Sequence, residues 1–398
     1  MTEPITLAAR VRRRPLVPLA STSVAVGVAT SLAVPFLSLF LTREVGADPV
    51  ALGGFLLAGP VAGVVLSTLV GRLSDTRAIR RTLLVVGGVA GACGYALYAV
   101  VRDYWLLLAV STTLVAITFA LMPQVFAYAR QVVQDSGSAR APLVISSLRT
   151  LVSVSWVVGP PLAALLVATS GFGGLFGTVA LCYALVAVLA VLLPDPATGP
   201  ARPPVERPGR PPARLLVAVP AFVLVQAAGS LGVTTLPLFV TEELHGTAGD
   251  AGLVLGLCAA LEIPLMIGLG VLAVRGNQHR LVVGGTAVAL GYHAAMSAAT
   301  SVWQVAAAQV LNAVVIAAVM GVGISYFQSL APDRPGMATT LFTNTAVAGT
   351  MISGPLLGVA VETGYRTAYL MSLAMAALGL VLLLAGLRGT RRDPGVIG

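Results

Sequence analysis

Residues 31–44 read SLAVPFLSLFLTRE, and residues 230–243 read SLGVTTLPLFVTEE. The two stretches align without a gap and share eight identities. Further pairs follow in the same order. Trp105 and Met122 bracket one apolar run as Trp303 and Met320 bracket another. Gly159-Pro160-Pro161-Leu162-Ala163 has a counterpart in Gly354-Pro355-Leu356-Leu357-Gly358, and at that offset Arg149 corresponds to Asn344. Repetition in consistent order is the mark of a duplicated chain. In a membrane protein, parallel halves of this kind are related by an axis along the membrane normal.

The duplicated material is membrane material. The 398 residues are 57% hydrophobic and 10% charged, with a mean hydropathy of +0.93. Soluble domains carry about 25% charged residues, so an ordinary soluble enzyme, a disordered chain and a nucleic-acid binder are all excluded. Apolar runs predict twelve spans: 16–41, 51–71, 82–101, 104–128, 142–169, 175–193, 215–240, 252–273, 281–300, 303–328, 337–361 and 367–387. Each must be a helix, because only a helix satisfies its own backbone hydrogen bonds in lipid without a closed barrel. The predicted fold is an all-α integral membrane protein, twelve transmembrane helices in two pseudo-symmetric six-helix bundles. The first bundle is 1–193 and the second 215–398. Residues 194–214, with eight prolines and four arginines, read as an extended cytoplasmic linker.

All 24 basic residues are Arg. With the N-terminus inside, the inner segments hold 20 of them and the outer loops only Arg43, Arg102 and Arg366. That bias sets the orientation, with both termini cytoplasmic. The arginines occupy short loops, not a nucleic-acid-reading stripe. The run after Arg10–Arg14 continues to Leu41, too long for a signal peptide, and reads as the first span. Cys93, Cys182 and Cys258 lie in apolar runs and suggest neither disulfides nor a metal site. No catalytic or cofactor motif stands in a suitable context, so neither an enzyme nor a bound cofactor is expected.

The loop Gly71-Arg72-Leu73-Ser74-Asp75-Thr76-Arg77-Ala78-Ile79-Arg80-Arg81 resembles the inner-loop signature of the major facilitator superfamily. It lacks that signature's second Gly and has one extra residue before Arg80. Within the superfamily several stretches are similar to the bacterial sugar efflux transporters: 37–47, Met122-Pro123-Gln124-Val125-Phe126-Ala127, 156–163, Leu261-Glu262-Ile263-Pro264 and 338–344. The resemblance implies the two-bundle fold, sugars or glycosides as substrates, and a monomer. It also implies a gate at the inner loop, with Asp75 facing the start of span eleven among Arg72, Arg80 and Arg81. The alternative is an exporter of drugs or other small metabolites on the same fold, a reading that the 6% aromatic content disfavours.

Glu262 is the acidic residue placed deep in a span. An ionised carboxylate there costs about 2.5–3.5 kcal/mol, so the group suits proton uptake and release: proton antiport by alternating access. Pro264, two residues on, frees a backbone carbonyl at the same place. Neutral amides suit sugar hydroxyls, since each offers two donors and an acceptor. The substrate candidates are Gln226, Gln309 with Asn312 on one helix face, Asn344, its counterpart Arg149, and Gln124. Phe40, Phe239, Trp156 and Tyr292 are candidate sugar-stacking faces, and His293 a candidate relay or packed neutral group.

Overall fold

The computed structural model describes residues 16–76, 79–135, 141–193 and 213–388. Among them the chain is helical, with no strand. The helices are α1 (Leu16–Arg43), α2 (Pro49–Thr76), α3 (Arg80–Val100), α4 (104–135), α5 (141–170), α6 (172–191), α7 (213–243), α8 (Ala248–Arg275), α9 (Gln278–Ala298), α10 (302–330), α11 (Pro335–Thr363) and α12 (Tyr365–Arg388). The helix Ala141–Val191 runs without a loop but is broken at Gly171, where φ is 65° and ψ −170°. A side chain at positive φ would be strained, and glycine carries none. The expected loop between spans five and six is thus a single glycine.

Most helices extend beyond the apolar runs that predict them, because polar flanking residues cap them. Asp48 Oδ1 accepts from Ala51 N at 2.8 Å ahead of α2, and Asp103 Oδ1 accepts from Leu106 N at 2.8 Å ahead of α4. Thr247 and Asp250 form a reciprocal capping box, so α8 starts at Ala248 rather than at the predicted 252. Asn277 Oδ1 accepts from Arg280 N at 3.2 Å and starts α9. Several of the chain's few acids are therefore helix caps.

Two compact units emerge, 1–40 with 58–205 and 41–57 with 206–398. In the first, α3 packs along α5 and α6. A Cβ on Gly88 would stand 2.6 Å from the Ala187 backbone nitrogen, so these helices touch backbone to backbone. A ring cluster of Phe40, Tyr95, Tyr98, Phe172, Phe176 and Tyr183 fills the core beside them. In the second unit, α7 lies against α11 and α12, α9 against α10 and α12, and α8 against α10. Phe222, Tyr326, Phe327 and Phe342 form one core there; Phe239, Tyr292 and Tyr369 belong to another.

The repeats do the same work in each unit. Ser31 Oγ donates to the Ser155 carbonyl at 2.9 Å, and Ser230 Oγ pairs with Ser353 Oγ at 3.0 Å. Phe40 and Phe239 take the same place in the repeat, and both are fully buried. Each ring has an arginine above it, Arg102 at 5.1 Å and Arg366 at 5.6 Å.

Candidate functional site

Glu262 sits midway along α8, half-buried. One turn before it is Cys258, close enough for the two groups to interact electrostatically. One turn after it is Met266. Residues at this spacing share a helix face, and the contacts of the outer two fix where that face looks. The Cys258 sulfur accepts from Asn312 Nδ2 at 3.4 Å, and Met266 would meet a Cβ on Gly321 at 3.4 Å. Both contacts are to α10. Glu262 therefore lies on the stripe facing α10, between the levels of Asn312 and Gly321.

At that level α10 is irregular. Its first part ends at Ile316, and a π-turn occupies Ala317–Gly321. π-turns displace the regular hydrogen-bond ladder and recur at functional positions. Gln226 on α7 reaches the same turn, its Nε2 donating to Met320 Sδ at 3.0 Å. Met320 is 37% exposed, and Gln226 is half-buried. The mid-length acid, the irregular backbone and an amide on a weak thioether acceptor are thus gathered in the second unit.

The other amides take different places. Gln309 is fully buried and Asn312 is 8% exposed. Asn312 Nδ2 donates to Gln309 Oε1 at 3.0 Å, Gln309 Nε2 donates to the Val305 carbonyl at 3.1 Å, and the Tyr292 hydroxyl also hydrogen-bonds Gln309. The i, i+3 spacing that places both amides on one face also lets them satisfy each other. Asn344 on α11 is exposed. Gln124, 5% exposed, donates from Nε2 to Ser74 Oγ at 3.0 Å, while its Oε1 is buried without a partner. It ties α4 to the end of α2, one residue before Asp75.

Phe40, Phe239 and Tyr292 lie inside the ring clusters, so these three expected stacking faces are core instead. His293 is 2% exposed, its ring 4.8 Å from that of Tyr292 and its Nδ1 without a partner. Arg80 Nη1 reaches the Ala127 carbonyl at 3.4 Å, and Arg81 Nη2 the Val191 carbonyl at 2.7 Å. Arg81 thereby caps the end of α6, where a cation suits the orphan carbonyls. Arg72 is exposed. The Asp75 and Arg149 side chains lie outside the described residues, as does the linker up to residue 212. No cluster of three metal-ligating side chains occurs among the described residues.

Eleven helical stretches are long and apolar enough to cross a membrane, and the one at 150–191 contains the Gly171 break that makes two of it. The major facilitator superfamily model matches residues 19–296 and 218–397. The chain belongs to this superfamily, in its sugar efflux transporter family. Its relatives include a Deinococcus radiodurans protein, 39% identical over 89% of this chain and 94% of that one. Sugar efflux transporter A of Dickeya chrysanthemi is 34% identical, covering 88% of this chain and 90% of its own. The Escherichia coli protein of the same name is 33% identical, covering 89% and 92%. Among solved structures, a bacterial homologue of the human lysosomal transporter Spinster superposes with a TM-score of 0.77 at 14% identity, covering 97% of this chain and 99% of that one. The nucleoside transporter NupG superposes with a TM-score of 0.69 at 14% identity, covering 95% and 99%. At those identities the superpositions speak for the fold alone.

Among the described residues there are three π-turns, at Ser111–Val115, Phe239–Glu243 and Ala317–Gly321, and none has a signal in the sequence. Nor does the sequence mark Cys258 or Met320 as site residues. A sulfur inside an apolar run looks like packing until its partner on the next helix is known.

Proposed function

We propose that this superfamily member exports sugars or glycosides in exchange for protons, by alternating access. The single observation that carries the coupling is Glu262, midway along α8 and facing the π-turn of α10. A carboxylate at that depth is stable only with a proton or a partner. The substrate class follows from relatives that bear the name sugar efflux transporter and align along nearly the whole chain. Gln226 and Asn344, the two amides not locked in a buried pair, contact sugar hydroxyls, with Arg149 as a third polar contact. Asp75 and Arg72 form the inner gate, steadied through Ser74 by Gln124 and through the helix ends by Arg80 and Arg81. The chain works as a monomer in the cytoplasmic membrane, with both termini inside.

Everted vesicles with an imposed pH gradient test the coupling. Wild-type vesicles take up labelled sugar against its gradient. Glu262→Gln vesicles only equilibrate it, and sugar addition no longer dissipates the pH gradient. A Glu262→Gln protein that still concentrates sugar would falsify the role of Glu262.

A further inference from the structure

The second unit holds a cavity of about 560 Å³ apart from Glu262 and the π-turn. It lies among the starts of α7 and α9 and the ends of α8, α10 and α12, the ends that the arginine bias assigns to the inside. A volume of a few hundred cubic ångströms with convergent polar groups is the ordinary form of a ligand site. Here the polar groups come from three helices. Arg214 on α7 interacts electrostatically with Tyr326 on α10, and the Tyr326 hydroxyl is 2.9 Å from His279 Nδ1 on α9. No carboxylate lines the cavity. The start of α9 adds the positive end of a 21-residue helix.

Two polar atoms of wall residues, Gln278 Oε1 and His279 Nε2, are buried and make no hydrogen bond. Both atoms are covered by protein and do not face the cavity, so the polar surface that the cavity offers is Arg214, Tyr326 and the start of α9. The opposite wall is apolar, formed by Leu330, Leu382 and Leu383 among others.

We propose that this cavity binds a phosphate ester, its phosphate on Arg214, Tyr326 and the start of α9, and its remainder on the leucine wall. Arg214 supplies the charge and the fork geometry that phosphate oxygens accept. The Tyr326 hydroxyl, accepting from His279 Nδ1–H at 2.9 Å, keeps its own proton to donate beside it. The same chemistry is offered by an anionic lipid headgroup of the inner leaflet and by a soluble phosphate ester. The proposal stands apart from sugar export and does not require it.

Thermal unfolding of the purified full chain tests it with two probes. Inorganic phosphate is added to protein in neutral detergent, and separately the protein is placed in nanodiscs of phosphatidylglycerol or of phosphatidylcholine. The variants are Arg214→Gln, at an exposed position, and Tyr326→Phe, which keeps the ring. A midpoint raised by phosphate in detergent, with about tenfold weaker affinity in either variant, supports a soluble ester. A rise only in phosphatidylglycerol, lost in either variant, supports a lipid. No rise under either condition, or a rise that both variants retain in full, overturns the proposal.

Discussion

Arg43 and Glu242 occupy the same position of the repeated motif, and they form an ion pair: Arg43 Nη2 lies 2.6 Å and Nε 2.7 Å from Glu242 Oε1. Had the duplication kept one residue type at both places, like charges would face each other. Next to them Glu243 pairs with Arg366 at 3.1 Å, and Arg366 also donates to the Ser297 carbonyl at 2.8 Å. Two of the three arginines counted to the outer loops are therefore held by acids. The side chains of Arg43 and Glu242 are 46% and 39% exposed, so solvent and salt screen the pair and its worth is below about 1 kcal/mol. Reversing one sign should cost more than deleting the pair, because it adds repulsion. Arg43→Glu is expected to unfold earlier on heating than Arg43→Ala, and Arg43→Glu with Glu242→Arg to return to the wild-type midpoint. If the double reversal unfolds as early as the single one, the pair is not what holds these residues together.

The segment 41–57 is also held by close backbone packing. A Cβ on Gly354 would stand 2.8 Å from the Leu56 carbonyl carbon and 2.9 Å from Leu57 N, and a Cβ on Gly358 would collide with the Pro49 carbonyl oxygen. Backbone atoms have no alternative rotamer, so a side chain here must push α2 away from α11. Overpacking of this kind costs about 1–3 kcal/mol, enough to raise the open population at least about fivefold. Leu52, fully buried, reports on it. In a background without the three native cysteines, Leu52→Cys should resist maleimide and become labelled when Gly354→Val is added. Gly336→Val, where nothing lies within 4 Å, should leave the labelling unchanged. Equal labelling in all three proteins would show that the glycine is not a packing requirement.

The sequence makes some of this legible and leaves the rest hidden, for physical reasons. The apolar spans are a one-dimensional signal, and the helices follow them. The repeated Gly-Pro pair is visible in the sequence, but that Gly354 packs on the Leu56 and Leu57 backbone is not. Hydropathy sets the helix ends too narrowly because it ignores caps such as Thr247 and Asp250. Gln309 and Asn312 share one helix face, yet a shared face does not say whether two amides point outward or at each other. The π-turn beside Glu262 depends on how α10 packs, and no residue pattern announces it.

The Gln309–Asn312 pair makes a quantitative test of that distinction. Hydrogen bonds between membrane helices average about 0.6 kcal/mol in double-mutant cycles and reach about 1.7. This pair lies within one helix, but Asn312 also bonds Cys258 across to α8 at 3.4 Å. Asn312→Leu and Gln309→Leu should each lower stability to denaturant, and the double variant should lose less than the sum, with a coupling of about 0.5–2 kcal/mol. Cys258→Ala should be nearly neutral, since a sulfur is a weak acceptor. The half-saturating sugar concentration for export should stay within about twofold in all of them, because the amides are spent on each other. A large rise in that concentration with unchanged stability would instead return Gln309 and Asn312 to the substrate.

Gln226 should behave in the opposite way, and Met320 shows why. The Gln226 amide donates to a thioether at 3.0 Å, an acceptor weak enough for a hydroxyl oxygen to replace. Gln226→Leu should therefore leave stability nearly intact and raise the half-saturating sugar concentration about tenfold, the value of one good hydrogen bond. Met320→Leu keeps the volume and removes the sulfur. The donor then has only water as a partner in the unloaded protein, and an arriving hydroxyl meets no competing protein acceptor. Half-saturation should fall, by less than about fivefold, because the bond lost is worth under 1 kcal/mol. The two substitutions thus move the same quantity in opposite directions, which loosened packing alone does not do. If both raise it, the Gln226–Met320 contact is a packing contact and the sugar binds elsewhere.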